Sequence, residues 1–269
     1  ESKDANKLIE EFMLLANRSV AEFIGKQSPK KTFIYRVHDE PDDEKIASLE
    51  NIIKRFGYKL DTKDRKSTSQ SLNKLLKDVH GRKEQNLIDT LAIRSMSKAV
   101  YTTNNIGHYG LGFEHYCHFT SPIRRYPDVL VHRVVQSVLL GNPMNDAAME
   151  EKCVHCSERE RAAMEAERAS NKYKQVEFMS QFLGHTFEGV ISGVSSFGFW
   201  VETVEHKCEG LVSITTLSRI DDFRLVESSY SLVGLRSGRK FSMGDKIIIK
   251  VVAANLDKRQ LDYEWEPNK

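Results

Sequence analysis

The sequence contains no apolar run near the roughly 20 residues that a membrane-spanning helix needs. It has only four cysteines in 269 residues, Cys117, Cys153, Cys156 and Cys208, which do not make a disulfide framework in a chain of this length. An excess of one charge is also missing. Lys and Arg number 40 against 38 Asp and Glu, a net charge of +2. No whole-chain field therefore draws a polyanion, and any such recognition must rest on local clusters. Internal repeats and low-complexity tracts are absent. The first residues, Glu1 to Lys7, are polar and mixed in charge, unlike a secretory leader. A cytoplasmic protein is expected, with no membrane contact. The start at Glu1 without a methionine leads us to expect that residues upstream are missing.

What is present suffices for a folded core. Apolar residues make up 40% and charged residues 29%, so disorder is not the default. The texture changes near Gly184. Before it, apolar residues recur at helical spacing. Leu8, Phe12, Leu15, Ala16, Val20 and Phe23 mark a first amphipathic helix. Phe33 to Val37 suits a short strand. Ile46, Leu49, Ile53 and Phe56 mark a second helix opening at Pro41-Asp42-Asp43-Glu44. Leu72, Leu75, Leu76 and Val79 mark a third, and Leu87, Leu91 and Met96 a fourth. His115 to Phe119 reads as a strand. A helix opening at Ser121-Pro122 has Val131, Val134, Val135 and Val138 inside. The longest helix is expected from about Asp146 to Leu183.

After Gly184 the period becomes two. Candidate strands are Thr186–Gly193, Phe197–Thr203, Cys208–Ile214, Lys246–Asn255 and Gln260–Glu264. Five short strands in about 80 residues suggest an OB-type barrel. The expected fold class is α+β: a mainly helical portion, residues 1–183, followed by a five-stranded OB-fold β-barrel, residues 184–269.

Chemistry concentrates at His118 to Asp128. Ser121 suits an N-cap and Pro122 a first helical position. The unpaired amides of a first turn and the positive end of the helix dipole form an anion site. Arg124 and Arg125 add guanidiniums that fork onto phosphate oxygens. Thr120 and Ser121 add hydroxyls at the same end. The competing reading is structural: Ser121 only caps, and Arg124 pairs with Asp128 one turn later. Cys153-x-x-Cys156 lacks the second ligand pair of a zinc site and reads as buried or neutral thiols.

The run from His118 through Asp128 to Arg133 resembles the signature of the RNB catalytic domain of the ribonuclease II/R family. Leu91 to Met96, Gly107 to Leu111, and Ser157-Glu158-Arg159 leading to Ala166-Glu167-Arg168 support it. Phe187 to Ile191, Phe197 to Val201 and Gly210 to Ile214 resemble the first three strands of an S1-type domain. The resemblance spans essentially the whole chain. It implies a processive, metal-dependent hydrolase that degrades single-stranded and structured RNA from the 3′ end to nucleoside 5′-monophosphates, with a monomeric parent protein. Arg124 matches the arginine at the cleaved phosphate, with Arg125 beside it. Glu167 matches the glutamate near the terminal ribose, where a carboxylate accepts from a 2′-OH; without the resemblance it reads as a solvated charge. Tyr109 and Tyr126 read as core or helix-edge residues, with base stacking as the other possibility.

The family's Mg²⁺ site is a cluster of aspartates earlier in the RNB domain. Asp42-Asp43 and Asp221-Asp222 do not match it, so no metal ligand is assigned in this chain. The expected partner is the missing N-terminal half of the RNB domain, and the chain alone is expected to be inactive.

In the barrel, alternation buries Phe199 and Val201 and exposes Trp200. A bulge at Gly198 would bring Phe197 to the same outer face, where both rings would stack on bases; core packing is the alternative. Phe187 joins them as a candidate RNA contact. Asp257, Lys258 and Arg259 sit in the last turn, where the family often places polar RNA contacts. Ser213 stands where related domains often carry a histidine. Arg236 to Lys240 is a basic loop, yet residues 184–269 hold 11 Lys and Arg against 12 Asp and Glu. The alternative function is a non-catalytic S1-type RNA-binding protein. A third reading is a helical module with a protein-binding barrel.

Overall fold

The computed structural model describes residues 3–82, 84–226 and 230–267. The chain forms two compact units, one of residues 1–42 and 96–164, the other of residues 43–95 and 165–269.

The first unit holds α1 (Asp4–Gly25), β1 (Tyr35–Val37), β2 (Val100–Thr102), α5 (Tyr126–Leu139) and the first half of α6 (Met149–Met179). β1 and β2 pair antiparallel, with Tyr35 opposite Thr102. Ala21, Ile24, Phe33, Tyr35, Val131, Val134, Met149 and Cys153 close a single core.

Three expectations change here. The apolar stripe of α1 faces outward: Leu8, Phe12 and Leu15 are 57–58% exposed. Its buried residues are Asn17, Ala21 and Ile24, on nearly the opposite side of a 3.6-residue turn. The period was legible but the face was not, because the inner face is led by a polar residue. Second, α5 starts at Tyr126, not at Ser121, with Arg125 at the N-cap and Pro127 in the first turn. Residues 122–124 form a turn instead, in which the N–H groups of Arg124 and Arg125 donate to the Ser121 carbonyl at 3.3 and 3.1 Å. Third, His115 to Phe119 forms no strand; Arg36 N–H donates to the Tyr116 carbonyl at 2.9 Å.

The second unit holds α2 (Asp43–Ile53), α3 (Arg65–Asp78), α4 (Gln85–Ser95), the rest of α6 and a closed barrel. The barrel strands are β3 (Thr186–Ser195), β4 (Gly198–Thr203), β5 (Glu209–Ser213), β9 (Lys246–Asn255) and β10 (Gln260–Glu266). Their order is β10-β5-β4-β3-β9. β10 runs parallel to β5, and the other pairs are antiparallel. The five expected strands are present with boundaries close to those expected.

Alternation explains the barrel core, since Phe199, Val201, Ile249 and Val251 are fully buried. Val176 and Met179 of α6 pack into the same cluster. Gly198 has φ +144°, and a Cβ there would meet the Val212 carbonyl oxygen at 2.2 Å. The register shift lies on β3, between Ile191 and Gly193, rather than at Gly198. Between β5 and β9 the chain adds α7 (Ile214–Leu217) and a three-stranded sheet of β6 (Phe223–Val226), β7 (Ser231–Gly234) and β8 (Lys240–Ser242). The basic loop at Arg236 to Lys240 is the β7–β8 connection.

All four cysteines are free and buried. Burial pushes the Cys153 thiol up to about 12, so it stays protonated and unreactive. Among the described residues, no helix is long and apolar enough to cross a membrane.

Candidate phosphate site and barrel surface

The stretch 116–125 is held from α1 and α5. The Asn17 side-chain carbonyl accepts from Phe119 N–H at 3.0 Å and Thr120 N–H at 3.2 Å, and its amide donates to Tyr116 Oη at 3.1 Å. Asp128 is fully buried and accepts from Ser121 N–H at 2.8 Å. The same Asp128 oxygen binds the Arg125 guanidinium at 2.9 Å. His132 stacks on Phe119 with ring centroids 4.0 Å apart and lies 2.9 Å from the Phe119 carbonyl.

This geometry reassigns the anion donors. The backbone N–H groups of Thr120, Ser121, Arg124 and Arg125 already have acceptors within the fold, so they do not form the expected amide cradle. Arg125, not Arg124, is the partner of Asp128. Arg124 is exposed, and no side-chain hydrogen bond or ion pair holds it among the described residues. The buried atoms Thr120 Oγ1, Arg125 Nε and Asp128 Oδ2 have no partner. Buried polar atoms are rarely left unpaired, so Thr120 Oγ1 and Arg125 Nε stand as donors without an acceptor within this stretch. Ser121 is half-buried.

Two half-buried histidines, His108 and His118, each pack edge-on against Tyr116. Tyr101 Oη is 2.8 Å from His118 Nδ1. Burial, helped by Arg125 and Arg36, lowers His118 to about 3. Burial, then neighbouring His38, lowers His108 to about 4. Both rings are therefore neutral near pH 7. Arg36 sits 4.6 Å over the Tyr101 ring and binds Glu160 at 2.7 Å. Sequence reasoning missed Asn17, Arg36, Glu160 and His132. Only Asn17 left a signal, a polar residue in a helix interior where Asn is unfavourable.

Tyr109 is buried at 6% exposure, whereas Tyr126 is 51% exposed. Glu167 is exposed on α6 and belongs to the second unit. Among the described residues, no group of three or more His, Cys, Asp or Glu is arranged to hold a metal ion.

In the barrel, Phe197 is 52% exposed and meets Trp200 edge to face at 5.3 Å. Phe187 is half-buried; it packs against the barrel core and edge-on to Phe182 and His206. Asp257, Lys258 and Arg259 are exposed in the β9–β10 turn, where Arg259 has φ +52°. Ser213 caps α7, accepting from Thr215 N–H.

A mainly helical unit that presents the exposed Arg124, followed by an OB-type barrel with Phe197 exposed and Trp200 half-buried, describes a class of polyanion-handling proteins. Comparison with known proteins narrows the class. The RNB domain family matches residues 1–141, and the chain belongs to that family. It is 39% identical over 264 residues to ribonuclease R of Aquifex aeolicus, covering 97% of this chain and 37% of that protein. It is 37% identical to ribonuclease R of Escherichia coli, covering 98% of this chain and 34% of that protein. The fold superposes on Mycoplasma genitalium RNase R in complex with ribose-methylated single-stranded RNA, with TM-score 0.86, 26% identity and coverage of 99% of this chain and 42% of that one. The chain thus spans between a third and about two-fifths of the length of these relatives. The yeast pseudonuclease Ssd1 shares the fold alone, at 22% identity and TM-score 0.65.

Proposed function

We propose that this chain is part of a 3′→5′ exoribonuclease that hydrolyses RNA to nucleoside 5′-monophosphates, and that it supplies the phosphate arginine and the RNA-binding barrel. One observation carries the reading: Arg124 is exposed and unpaired next to a backbone that the buried Asn17 and Asp128 hold by hydrogen bonds. A guanidinium carried on a fixed backbone is placed to meet charge that develops on a phosphate under attack. Thr120 Oγ1 and Arg125 Nε offer further donors. Ser121 contributes its hydroxyl. Glu167 acts at the terminal ribose, accepting from the 2′-OH. Phe197, Trp200, Asp257 and Arg259 contact single-stranded RNA along the barrel, while Phe187 supports that surface from the core.

The metal that such hydrolysis uses, which we take to be Mg²⁺, finds no donor set among the described residues. Its aspartates are proposed to lie in the remaining part of the RNB domain. The same observation favours a second reading, in which this chain on its own only binds RNA.

Incubation with 5′-labelled single-stranded RNA and Mg²⁺ tests the division of labour. Bound, unshortened RNA is expected. Robust shortening from the 3′ end by this chain alone would refute it, and failure to bind any RNA would favour a protein-binding module.

A further inference from the structure

The helices α2 and α4 meet the barrel region through a small apolar cluster. Ile52, Leu87 and Met243 are buried together, with Leu91 and Tyr230 packed against them. Leu87, Leu91 and Arg94 follow one another at i, i+4 and i+7, on one face of α4. Seating the two leucines therefore carries Arg94, in the last turn, to the rim of a cleft of about 280 Å³. The cleft is lined by Arg94, Ser192, Trp200, Glu209, Tyr230 and Met243, among others.

Each wall offers a different chemistry. The Trp200 ring lies across Gly193, where a Cβ would come within 3.2 Å of it. Phe197 abuts the same ring edge to face, so its orientation is set from two sides. One Glu209 oxygen accepts from Ser192 Oγ at 2.5 Å, and its other oxygen has no partner among the described residues. Arg94 is exposed and likewise has no ion pair there. The volume lies just below the roughly 300 Å³ at which small-molecule sites begin, which suits one nucleotide and not a longer segment.

We propose that this cleft is a nucleotide subsite for single-stranded RNA. One base stacks on Trp200, the adjoining phosphate meets Arg94, and the second Glu209 oxygen accepts from a base N–H or a ribose hydroxyl. Arg94 thus joins the barrel's RNA surface although it lies about a hundred residues earlier, on a helix. The inference rests on the reading of the chain as an RNA binder. Stacking accepts any base, so little sequence preference is expected.

The test uses the full chain with Trp265→Phe, which leaves Trp200 as the sole tryptophan, and a fluorescein-free oligouridylate. Binding is expected to quench Trp200 emission. Arg94→Ala is expected to weaken binding about tenfold and to lower the slope of log affinity against log salt by about one. Arg94→Lys retains the charge and is expected to retain that slope. RNA that binds without quenching Trp200, and with equal affinity for the Arg94→Ala chain, overturns the subsite while leaving RNA binding intact. No RNA binding by the unsubstituted chain overturns both readings. Circular dichroism identifies any variant that fails to fold, and Arg94→Lys then decides the salt slope.

Discussion

In the first unit, Asn17 and Asp128 are buried and accept from consecutive backbone N–H groups, those of Phe119, Thr120 and Ser121. In the barrel the core is apolar and aromatic, and the groups suited to recognition, Phe197, Trp200 and Asp257 to Arg259, sit on the outside. The first arrangement fixes one guanidinium in place at the cost of burying charge. The second stabilises a scaffold whose recognition side chains are exchangeable. Substitutions should therefore be severe in different places: at buried polar residues in the first unit, and at backbone close approaches in the second.

The largest effect is expected at Asp128. Removing its carboxylate in Asp128→Ala leaves the Arg125 guanidinium and Ser121 N–H without their acceptor, a loss of about 3–5 kcal/mol. Hydrogen exchange should rise across 116–139 while barrel amides stay protected. Next comes Gly198→Ala, which forces a side chain into a positive-φ position against the Val212 carbonyl. We expect a loss of about 3 kcal/mol confined to the barrel, read by tryptophan fluorescence because both tryptophans, Trp200 and Trp265, lie there. Equal effects of both substitutions on both units would break the comparison.

Acid sharpens it further. His108 and His118 have folded values of about 4 and about 3 against 6.5. Such depressed groups contribute stability above 6.5 that is lost as pH falls towards the folded values. In the second unit Asp221, buried in the insertion between β5 and β9, is held at about 2 by the Ser237 hydroxyl and amide, with the Arg236 and Asp222 amides. Its contribution is present above 3.8 and is lost only as pH falls through about 2. Between pH 6 and 4, exchange should therefore accelerate first in the first unit, and His118→Phe should blunt that response. Simultaneous loss in both units would contradict the assignment. The smallest effect on stability is expected for Arg124→Ala, within about 0.5 kcal/mol.

The barrel was legible because alternation is local: each of its five strands carries its own period-two pattern. The helices were legible as helices for the same reason. The face of α1 was not, since Asn17 is inward for hydrogen bonding and no apolar count detects that. The start of α5 was misplaced because Ser121-Pro122 has cap chemistry, while Pro127 six residues later also suits a first turn. Which arginine pairs with Asp128 is a matter of three-dimensional reach, so the motif identified both Arg124 and Arg125 but not their division of roles. The cleft at Arg94 joins residues from α4, β3, β4 and β5, a juxtaposition that no linear spacing encodes.

Arg124 is the guanidinium presented to the phosphate, whereas Arg125 serves first the fold through its pair with Asp128. Comparing turnover and thermal stability of Arg124→Ala and Arg125→Ala in the complete polypeptide tests this division most directly. Arg124→Ala is expected to lower turnover about 10²–10³-fold, with RNA affinity reduced far less and melting temperature unchanged, whereas Arg125→Ala is expected to lower the melting temperature. An Arg124→Ala protein that turns over normally, or that melts as early as Arg125→Ala, would contradict it.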